Sequence, residues 1–122
     1  MTRMVLFVCP HGAAKSRLAT ALFDRVAPAG WQATSAGLHP QEAVSVATVH
    51  LVAGTDLEAL LDRQPPRPVA LVPDAVTVVS LDCDLPDAVR WDLTHQQVGA
   101  AMLAELRERV EVLARQVGDA PH

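Results

Sequence analysis

The sequence has few cysteines, few basic residues and no long apolar run, and each shortage excludes a class of protein. Two cysteines in 122 residues do not form a disulfide framework. No apolar stretch approaches the roughly 20 residues that span a bilayer, and the run at residues 4–9 is too short for the apolar part of a secretory signal. Ten basic against fourteen acidic residues exclude a basic nucleic-acid coat and a polybasic membrane patch. We therefore expect a cytoplasmic protein that binds neither nucleic acid nor membranes.

The remaining composition is typical of one globular domain. A chain of 122 residues, half of them apolar, is long enough to bury a core without disulfides or metals. We expect a single domain over residues 1–122, without repeats, low-complexity tracts or linkers. Lysine is nearly absent, because Lys15 is the only one against nine arginines. Lys15 therefore stands out among the charged residues.

Apolar patterning predicts strands that alternate with helices. Continuous apolar runs at residues 4–9 and 75–81 have the length and β-branched content of strands buried on both faces. A helix is expected to begin near Ser16, a favourable N-cap, and to stop at Pro28. Further helices are predicted at residues 41–52, 57–61 and 96–117, shorter strands at 31–35 and 89–91, and irregular chain at 64–68. This alternation predicts a parallel α/β sheet with right-handed crossovers.

The junction after the first strand carries the strongest functional signal. Residues 9–17 read Cys-Pro-His-Gly-Ala-Ala-Lys-Ser-Arg, which places a thiol at a strand end, a loop of small residues, and a cation and hydroxyl where a helix begins. Ligands of open α/β sheets bind beyond the carboxyl ends of the strands. Loop amides and the helix dipole favour a bound anion there. They also favour a thiolate at Cys9, a nucleophile for phosphoryl or arsenyl transfer. A buried structural cysteine is the alternative.

This junction resembles the phosphate loop of low-molecular-weight protein tyrosine phosphatases and of the related thioredoxin-coupled arsenate reductases. In those families a Val-Leu-Phe-Val strand ends at a Cys, which is followed by five residues and then by Arg and Ser. Here residues 5–9 match the strand, and Cys9, Lys15 and Ser16 have the same spacing.

Three later segments also resemble those families, in the same order along the chain. Residues 35–37 resemble the Ser-Ala-Gly end of the second strand, residues 76–82 the third strand, and residues 91–93 the segment before the general acid. The resemblance implies a single-domain three-layer sandwich, with a four-stranded parallel sheet of order 2-1-3-4 flanked by helices.

The resemblance also implies roles for the loop residues. Cys9 is expected to be the nucleophile, Ser16 to donate a hydrogen bond to its thiolate, and Lys15 to neutralise charge. The phosphate is expected to bind across the whole loop: Pro10, His11, Gly12, Ala13, Ala14, Lys15 and Ser16. No metal and no cofactor is implied. The expected partner is phosphate or another tetrahedral oxyanion, either free or carried by a phosphoprotein.

Three departures from the family pattern fall within the loop. Lys15 stands where the family has Arg, and an ammonium is one point charge whereas a guanidinium binds two phosphate oxygens through a planar fork. Loss of such a transition-state contact costs about 3 kcal/mol, or roughly a hundredfold in rate. Gly12 replaces a loop Asn, which removes a side-chain brace but permits a positive φ. Ala14 replaces a Cys or Ser.

The general-acid segment departs as well. Thr94-His95-Gln96 stands where the family has Asp-Pro. An imidazolium at His95 is a candidate acid for the leaving oxygen, and the alternative is that His95 only occupies a helix entry. Asp84, Asp87 and Asp92 are further candidate acids, although Asp near turns is mostly solvated or capping. Because the sequence lacks tyrosine, the walls of a phosphotyrosine pocket cannot be assigned.

The second cysteine and a second cation need separate interpretations. Cys83 follows the third strand at about the interval where the arsenate reductases carry a second cysteine. A disulfide with Cys9 requires Cα atoms within about 7 Å, the usual third cysteine is missing, and a structural role for Cys83 is the alternative. Arg17 could supply a cation to the pocket if the loop register differs.

Histidines outside the acid segment carry less signal. The pair formed by Cys9 and His11 provides too few ligands for a metal site. His39 and His50 are expected at the surface or on a helix face.

One leading function and two alternatives follow. The leading prediction is a phosphatase-like protein with an oxyanion-binding Cys-x5-Lys-Ser loop, which hydrolyses phosphotyrosine or a small aryl phosphate monoester through a phosphocysteine. The first alternative is a catalytically inactive relative that binds phosphate or a partner protein. The second is an arsenate reductase.

Overall fold

Four parallel strands form the centre of the structure, a computed structural model that describes residues 2–72 and 74–119. The strands are β1 (Arg3–Cys9), β2 (Trp31–Gly37), β3 (Thr77–Leu81) and β4 (Val89–Trp91), and their order in the sheet is β2-β1-β3-β4. The predicted fold class and strand order are confirmed. Because β1 lies between two partners, its carboxyl end opens at the middle of one sheet edge.

Three helices accompany the sheet: α1 (Lys15–Val26), α2 (Val46–Val52) and α3 (Ala100–Asp119). Two 3₁₀ turns, Glu58–Leu60 and Val69–Leu71, lie in the long segment between α2 and β3. None of the helices within residues 2–72 and 74–119 combines the length and apolar character needed to cross a membrane.

The side chains of β1 alternate between two apolar clusters because successive strand residues point to opposite faces of the sheet. Val5, Phe7 and Cys9 belong to the larger cluster, which includes the apolar sides of α1 and α3. Phe7 contacts Phe23 and Trp91 there, with ring centroids 6.2 and 5.9 Å apart. Leu6 and Val8 belong to the smaller cluster on the other face, together with Ala36 and Cys83. The end of β1 is therefore fixed from both sides.

Several predicted element boundaries are wrong. α2 begins at Val46 rather than at residue 41, with Ser45 as its N-cap, and α3 begins at Ala100 rather than at residue 96. The predicted helix over residues 57–61 is one 3₁₀ turn, and β2 extends to Gly37. Ser16 is not the N-cap of α1; the cap position is Ala14, and it has no side-chain hydrogen bond.

Two glycines bring β2 and the loop after β1 into direct backbone contact. Gly12 has a φ of +67°, and a Cβ on it would lie 2.9 Å from the Gly37 nitrogen. A Cβ on Gly37 would lie 2.6 Å from the His11 carbonyl carbon and 2.7 Å from the Gly12 nitrogen. Neither position accommodates a side chain unless the backbone shifts. Gly12 therefore adopts the positive φ that a glycine is expected to permit at this position.

The glycine contact makes a testable prediction about stability. In Gly37→Ala the new Cβ forces β2 and the loop apart, so we expect the free energy of unfolding to fall by about 2 kcal/mol or more. Chemical denaturation measures this change. Gly99→Ala is the matched control, because the nearest atom to its Cβ would lie 4.0 Å away. Equal destabilisation by the two substitutions would contradict the close packing described.

Candidate functional site

Cys9 lies at the base of the loop that joins β1 to α1. Its side chain is buried, with 3% of the residue exposed. The sulfur is 3.1 Å from Ser16 Oγ and accepts a hydrogen bond from the Gly12 amide at 3.2 Å. The Ser16 hydroxyl points at the sulfur rather than at an amide of its own helix, which explains why it does not cap α1.

The carbonyl groups of the loop are held by the surrounding structure. Five consecutive carbonyl oxygens, those of residues 9–13, each accept a hydrogen bond from outside the loop. The donors are backbone amides of the segment after β2 and one arginine side chain: Leu38 N to Cys9 O (3.2 Å), His39 N to Pro10 O (2.8 Å), Gln41 N to His11 O (3.1 Å), Arg17 Nε to Gly12 O (2.9 Å) and Ser45 N to Ala13 O (2.9 Å).

Four of those bonds determine where the amides of residues 11–14 point, because each of these amides shares a peptide with a held carbonyl. The fifth, at the Cys9 carbonyl, precedes Pro10, which has no amide hydrogen. The C=O and N–H of a trans peptide point in opposite directions, and no described peptide is cis. A carbonyl bonded to the scaffold therefore turns the following amide away from it. The Gly12 amide shows the direction, because it meets the Cys9 sulfur. Within the described part of the chain, the amides of His11 and of residues 13–16 have no hydrogen-bond acceptor.

A cavity of about 340 Å³ lies against this loop. That volume is within the range of ligand pockets. Its lining includes most of the predicted loop residues and two that the sequence analysis did not select: Cys9, Pro10, His11, Ala13, Ala14, Lys15, Gln41 and Ser45. Gly12 and Ser16 are buried and do not line it.

Lys15 reaches across the site to other elements. Its Nζ donates to Asp82 Oδ2 at 2.9 Å and to Gln96 Oε1 at 2.6 Å. Asp82 directly follows β3 with a φ of +54°, and its second oxygen accepts the Leu93 amide at 3.0 Å. The ammonium thus links the start of α1 to the end of β3 and to the segment after β4. Its charge is already balanced by a carboxylate.

Partners also determine the ionisation of Asp82. Burial alone would raise the pKa of this carboxyl, but hydrogen bonds from Lys15 and from the Leu93 amide outweigh that effect and hold the pKa below its usual range. Asp82 is therefore ionised at neutral pH.

The segment over residues 93–96 is fixed mainly by its backbone. Glu105 on α3 accepts the amides of Thr94 and His95, both at 2.9 Å, and Gln96 Nε2 donates to Leu93 O at 2.6 Å. The His95 side chain is exposed and does not line the cavity. Its neighbour Gln96 makes the contact with Lys15 instead.

The other candidate acids lie away from the cavity. Asp84 and Asp92 are exposed and both pair with Arg90. Asp87 is exposed in a turn with a φ of +65°. His39 and His50 are exposed, as predicted. In the ranges that the structure describes, no three His, Cys, Asp or Glu residues converge as metal ligands.

Cys83 and Cys9 belong to different apolar clusters. The Cys83 thiol donates to Val8 O at 3.6 Å, and both cysteines are free. Burial raises the pKa of the Cys83 thiol, and the nearby Cys9 acts in the same direction. Cys83 is therefore protonated at neutral pH and is a poor nucleophile.

Arg17 lies behind the loop rather than in the cavity. Only 1% of this residue is exposed, and its Nε holds the Gly12 carbonyl. The predicted contribution of Arg17 to the pocket therefore cannot be direct.

Sequence reasoning misses Gln41 and Ser45 because it predicts one helix over residues 41–52. Ser45 is a favourable N-cap residue and could have indicated the true start of that helix.

The lowered pKa of Asp82 predicts how stability depends on pH. A carboxyl with a depressed folded-state pKa stabilises the protein above its unfolded value, near 4, and this contribution is lost as the pH falls through the folded value. We expect Asp82→Asn to reduce the free energy of unfolding by about 1 kcal/mol at pH 7 and to flatten its decline below about pH 4.

Denaturant titrations at several pH values measure this dependence. Asp74→Asn, at an exposed position before β3, is the control. An acid dependence that is unchanged in Asp82→Asn would contradict the linkage to Lys15.

Comparison with known proteins identifies the family. Neither a scan against protein-family models nor a search of curated proteins found a match. Among solved structures, an arsenate reductase from Archaeoglobus fulgidus is 33% identical over 91% of this chain and 98% of its own, with a TM-score of 0.73.

Two further structures share the fold. An arsenate reductase in a phosphate-binding state is 21% identical over 95% of this chain and 99% of its own, with a TM-score of 0.75. A low-molecular-weight protein tyrosine phosphatase from T. tengcongensis is 19% identical over 94% and 99%, with a TM-score of 0.69. The predicted resemblance is confirmed, and this chain belongs to the family of low-molecular-weight protein tyrosine phosphatases and arsenate reductases.

Proposed function

We propose that this protein binds a tetrahedral oxyanion in the loop of residues 10–16 and hydrolyses phosphate monoesters through a phosphocysteine at Cys9. The observation that carries the proposal is the bonding of five consecutive loop carbonyls to the scaffold, which turns the amides of residues 11–14 away from the scaffold. One of these amides, that of Gly12, meets the Cys9 sulfur. An arsenate reductase of the same fold is known in a phosphate-binding state, which supports the same class of ligand here.

The first chemical step transfers the phosphoryl group to sulfur. The Cys9 thiolate attacks phosphorus, the S–P bond forms, and the bond from phosphorus to the ester oxygen breaks with its electron pair on that oxygen. The amides of His11 and of residues 13–16 bind the non-bridging oxygens, whose negative charge persists through the transition state. The Ser16 hydroxyl donates a hydrogen bond to the thiolate and thereby stabilises the thiolate.

The second step releases phosphate. A water molecule attacks the phosphorus of the phosphocysteine, the S–P bond breaks, and inorganic phosphate leaves while the electron pair returns to the Cys9 sulfur. The hydrogen bonds from Ser16 and from the Gly12 amide then stabilise the thiolate that departs. The same two donors therefore serve both steps.

The substrate is an ester whose leaving group needs little protonation. His95 is the candidate acid, but its side chain is exposed and lies outside the cavity lining. Phenolates leave more readily than alkoxides without a proton, so aryl phosphates such as phosphotyrosine suit the site. With Lys15 bound to Asp82 and Gln96, we expect slower turnover than a guanidinium at the same position would give.

An aryl phosphate assay tests this function. With para-nitrophenyl phosphate, we expect slow turnover by the wild type and none by Cys9→Ser, because serine is a far weaker nucleophile. Lys15→Arg is expected to raise kcat/KM about tenfold to a hundredfold, since it restores a planar fork. Turnover that survives in Cys9→Ser would contradict the proposal.

A second outcome of the same experiment separates the inactive relative. A wild type without turnover, in which phosphate still slows the alkylation of Cys9, would favour a protein that only binds the oxyanion. The ion pair between Lys15 and Asp82 is the observation that favours this alternative.

Arsenate reduction is the third candidate, and the Archaeoglobus fulgidus arsenate reductase favours it. In that reaction the Cys9 thiolate attacks arsenic(V), an S–As bond forms, and an As–O bond breaks to release hydroxide. A second thiolate then attacks the Cys9 sulfur. A disulfide forms, the S–As bond breaks, and the electron pair reduces arsenic to the trivalent state. The position of Cys83 in the other apolar cluster disfavours it as the second thiol.

Cys83→Ser tests that placement. We expect thioredoxin-dependent arsenate reduction by the wild type to be no faster than by Cys83→Ser, because the Cys83 thiol is buried and protonated. The assay follows NADPH consumption with thioredoxin and its reductase. A wild-type rate that disappears in Cys83→Ser would instead identify Cys83 as the resolving thiol.

A further inference from the structure

Three charged residues lie together behind the loop, and we name them the buried charge cluster after the fully buried Arg17; the other two, Asp62 and Arg67, are partly exposed. Arg17 Nη1 donates to the Asp62 carbonyl oxygen at 2.5 Å and lies 3.6 Å from its carboxylate. Arg67 Nη2 lies 2.6 Å from the other carboxylate oxygen. One carboxylate thus serves two guanidinium groups.

The buried charge cluster carries a net positive charge. Asp62 is closer to Arg67 than to Arg17, and it is the only carboxylate paired with Arg17 among the described residues. Arg17 is also the more deeply buried arginine, since its side chain is 0% exposed and that of Arg67 is 24% exposed. Its Nη2 has no partner in the described part of the chain. A buried charge without full compensation is costly, so a further negative charge nearby would be stabilised.

A nearby group that can become negative is the Cys9 thiol. Arg17 Nε donates to the Gly12 carbonyl, and the Gly12 amide donates to the Cys9 sulfur. The guanidinium and the sulfur are therefore connected through one residue. Burial lowers the pKa of Arg17 most, Asp62 raises it, Arg67 lowers it, and Cys9 raises it least, so all three groups lie within electrostatic range of the guanidinium.

The other ionisable groups around Cys9 add little net charge. Lys15 forms an ion pair with Asp82. Cys83 remains a neutral thiol because burial raises its pKa. His11 is exposed, and its Nδ1 is 3.3 Å from the His39 carbonyl oxygen. The buried charge cluster is thus the source of fixed positive charge near the sulfur.

We propose that Arg17 is a positioning residue whose buried guanidinium stabilises the Cys9 thiolate and the bound oxyanion from behind the loop, through the Gly12 peptide. The inference rests on the proposed function and extends it. Arg17 supplies the positive charge that Lys15, bound to Asp82, provides only in part. It also orders the loop, because it fixes the one carbonyl among residues 9–13 that no backbone amide holds.

Alkylation of Cys9 by iodoacetamide, measured against pH, tests the inference. Mass spectrometry of the Cys9 peptide separates this reaction from that of Cys83. In Arg17→Gln we expect the midpoint of the profile to rise by about one pH unit, because an opposite charge that favoured the thiolate is lost. Protection of Cys9 by inorganic phosphate is expected to need about tenfold more phosphate. Arg17→Lys, which keeps the charge, is expected to restore part of both effects.

We expect Asp62→Asn to shift the midpoint of the Cys9 alkylation profile in the direction opposite to Arg17→Gln. Removing the carboxylate increases the net positive charge of the cluster, so we expect the midpoint to fall. General loosening of the loop would not produce opposite shifts in the two variants. Arg25→Gln is the matched control, because Arg25 lies on the same helix and pairs with the exposed Asp56. Circular dichroism confirms that each variant is folded.

The outcomes distinguish this inference from the proposed function. A folded Arg17→Gln with an unchanged midpoint, or shifts of the same sign in Arg17→Gln and Asp62→Asn, would overturn the role of Arg17. If Arg17→Gln does not fold, the sign of the Asp62→Asn shift decides. A wild type that hydrolyses no phosphate ester would overturn the proposed function alone, because the midpoints are measured without turnover.

Discussion

The hydrogen bonds that hold the loop carbonyls to the scaffold are the constraint on which the rest of the site depends. A tight loop after a strand has no intrinsic reason to turn its amides to one side. Here the chain after β2 supplies four backbone donors in close succession, at Leu38, His39, Gln41 and Ser45. The contact between Gly12 and Gly37 brings that chain close enough to reach the loop. The sulfur of Cys9 lies on the side to which the Gly12 amide points.

The positive charge of the site comes from two places, Lys15 and the buried charge cluster. Lys15 faces the cavity, but Asp82 balances it, and its main structural effect is to join the loop to the segment after β4. Arg17 of the buried charge cluster lies behind the loop, and solvent screens it less because its side chain is 0% exposed against 16% for Lys15. Through the proposed role of Arg17, this protein keeps positive potential at the cysteine although the position after the five loop residues holds an ammonium. It lacks the two parallel hydrogen bonds that a guanidinium at that position would donate to the anion.

The sequence predicted the strands better than the helix ends, for physical reasons. Residues 4–9 were found because buried strands require continuous apolar or β-branched side chains, and that signal is local. Helix ends depend on where capping groups point. Ser16 has the type of an N-cap, but its hydroxyl is directed to a sulfur seven residues earlier in the chain. Residues 41–45 match a helical pattern, yet the amides of Gln41 and Ser45 bond the loop instead.

The roles of charged residues were the hardest to predict. Arg17 lies in an amphipathic helix, where an arginine is ordinarily exposed, and only the packing of residues 62–67 behind the loop explains its burial. The pairing of Lys15 with Asp82 joins positions 67 residues apart, and no periodicity carries that information. The family resemblance predicts the loop and its cysteine as a unit, because their residues are contiguous in the chain. Contacts between segments that are distant in the sequence could be identified only from the folded structure.

A phosphate titration followed by amide chemical shifts measures the orientation of the loop most directly. The account predicts large saturable shifts at the amides of His11 and residues 13–16. The amides of Leu38, His39, Gln41 and Ser45 serve as internal references, because loop carbonyls already occupy them, and they should shift much less. Saturable shifts at those four amides with none in the loop, or no saturation at any of them, would contradict the claim that the loop presents its amides to an oxyanion.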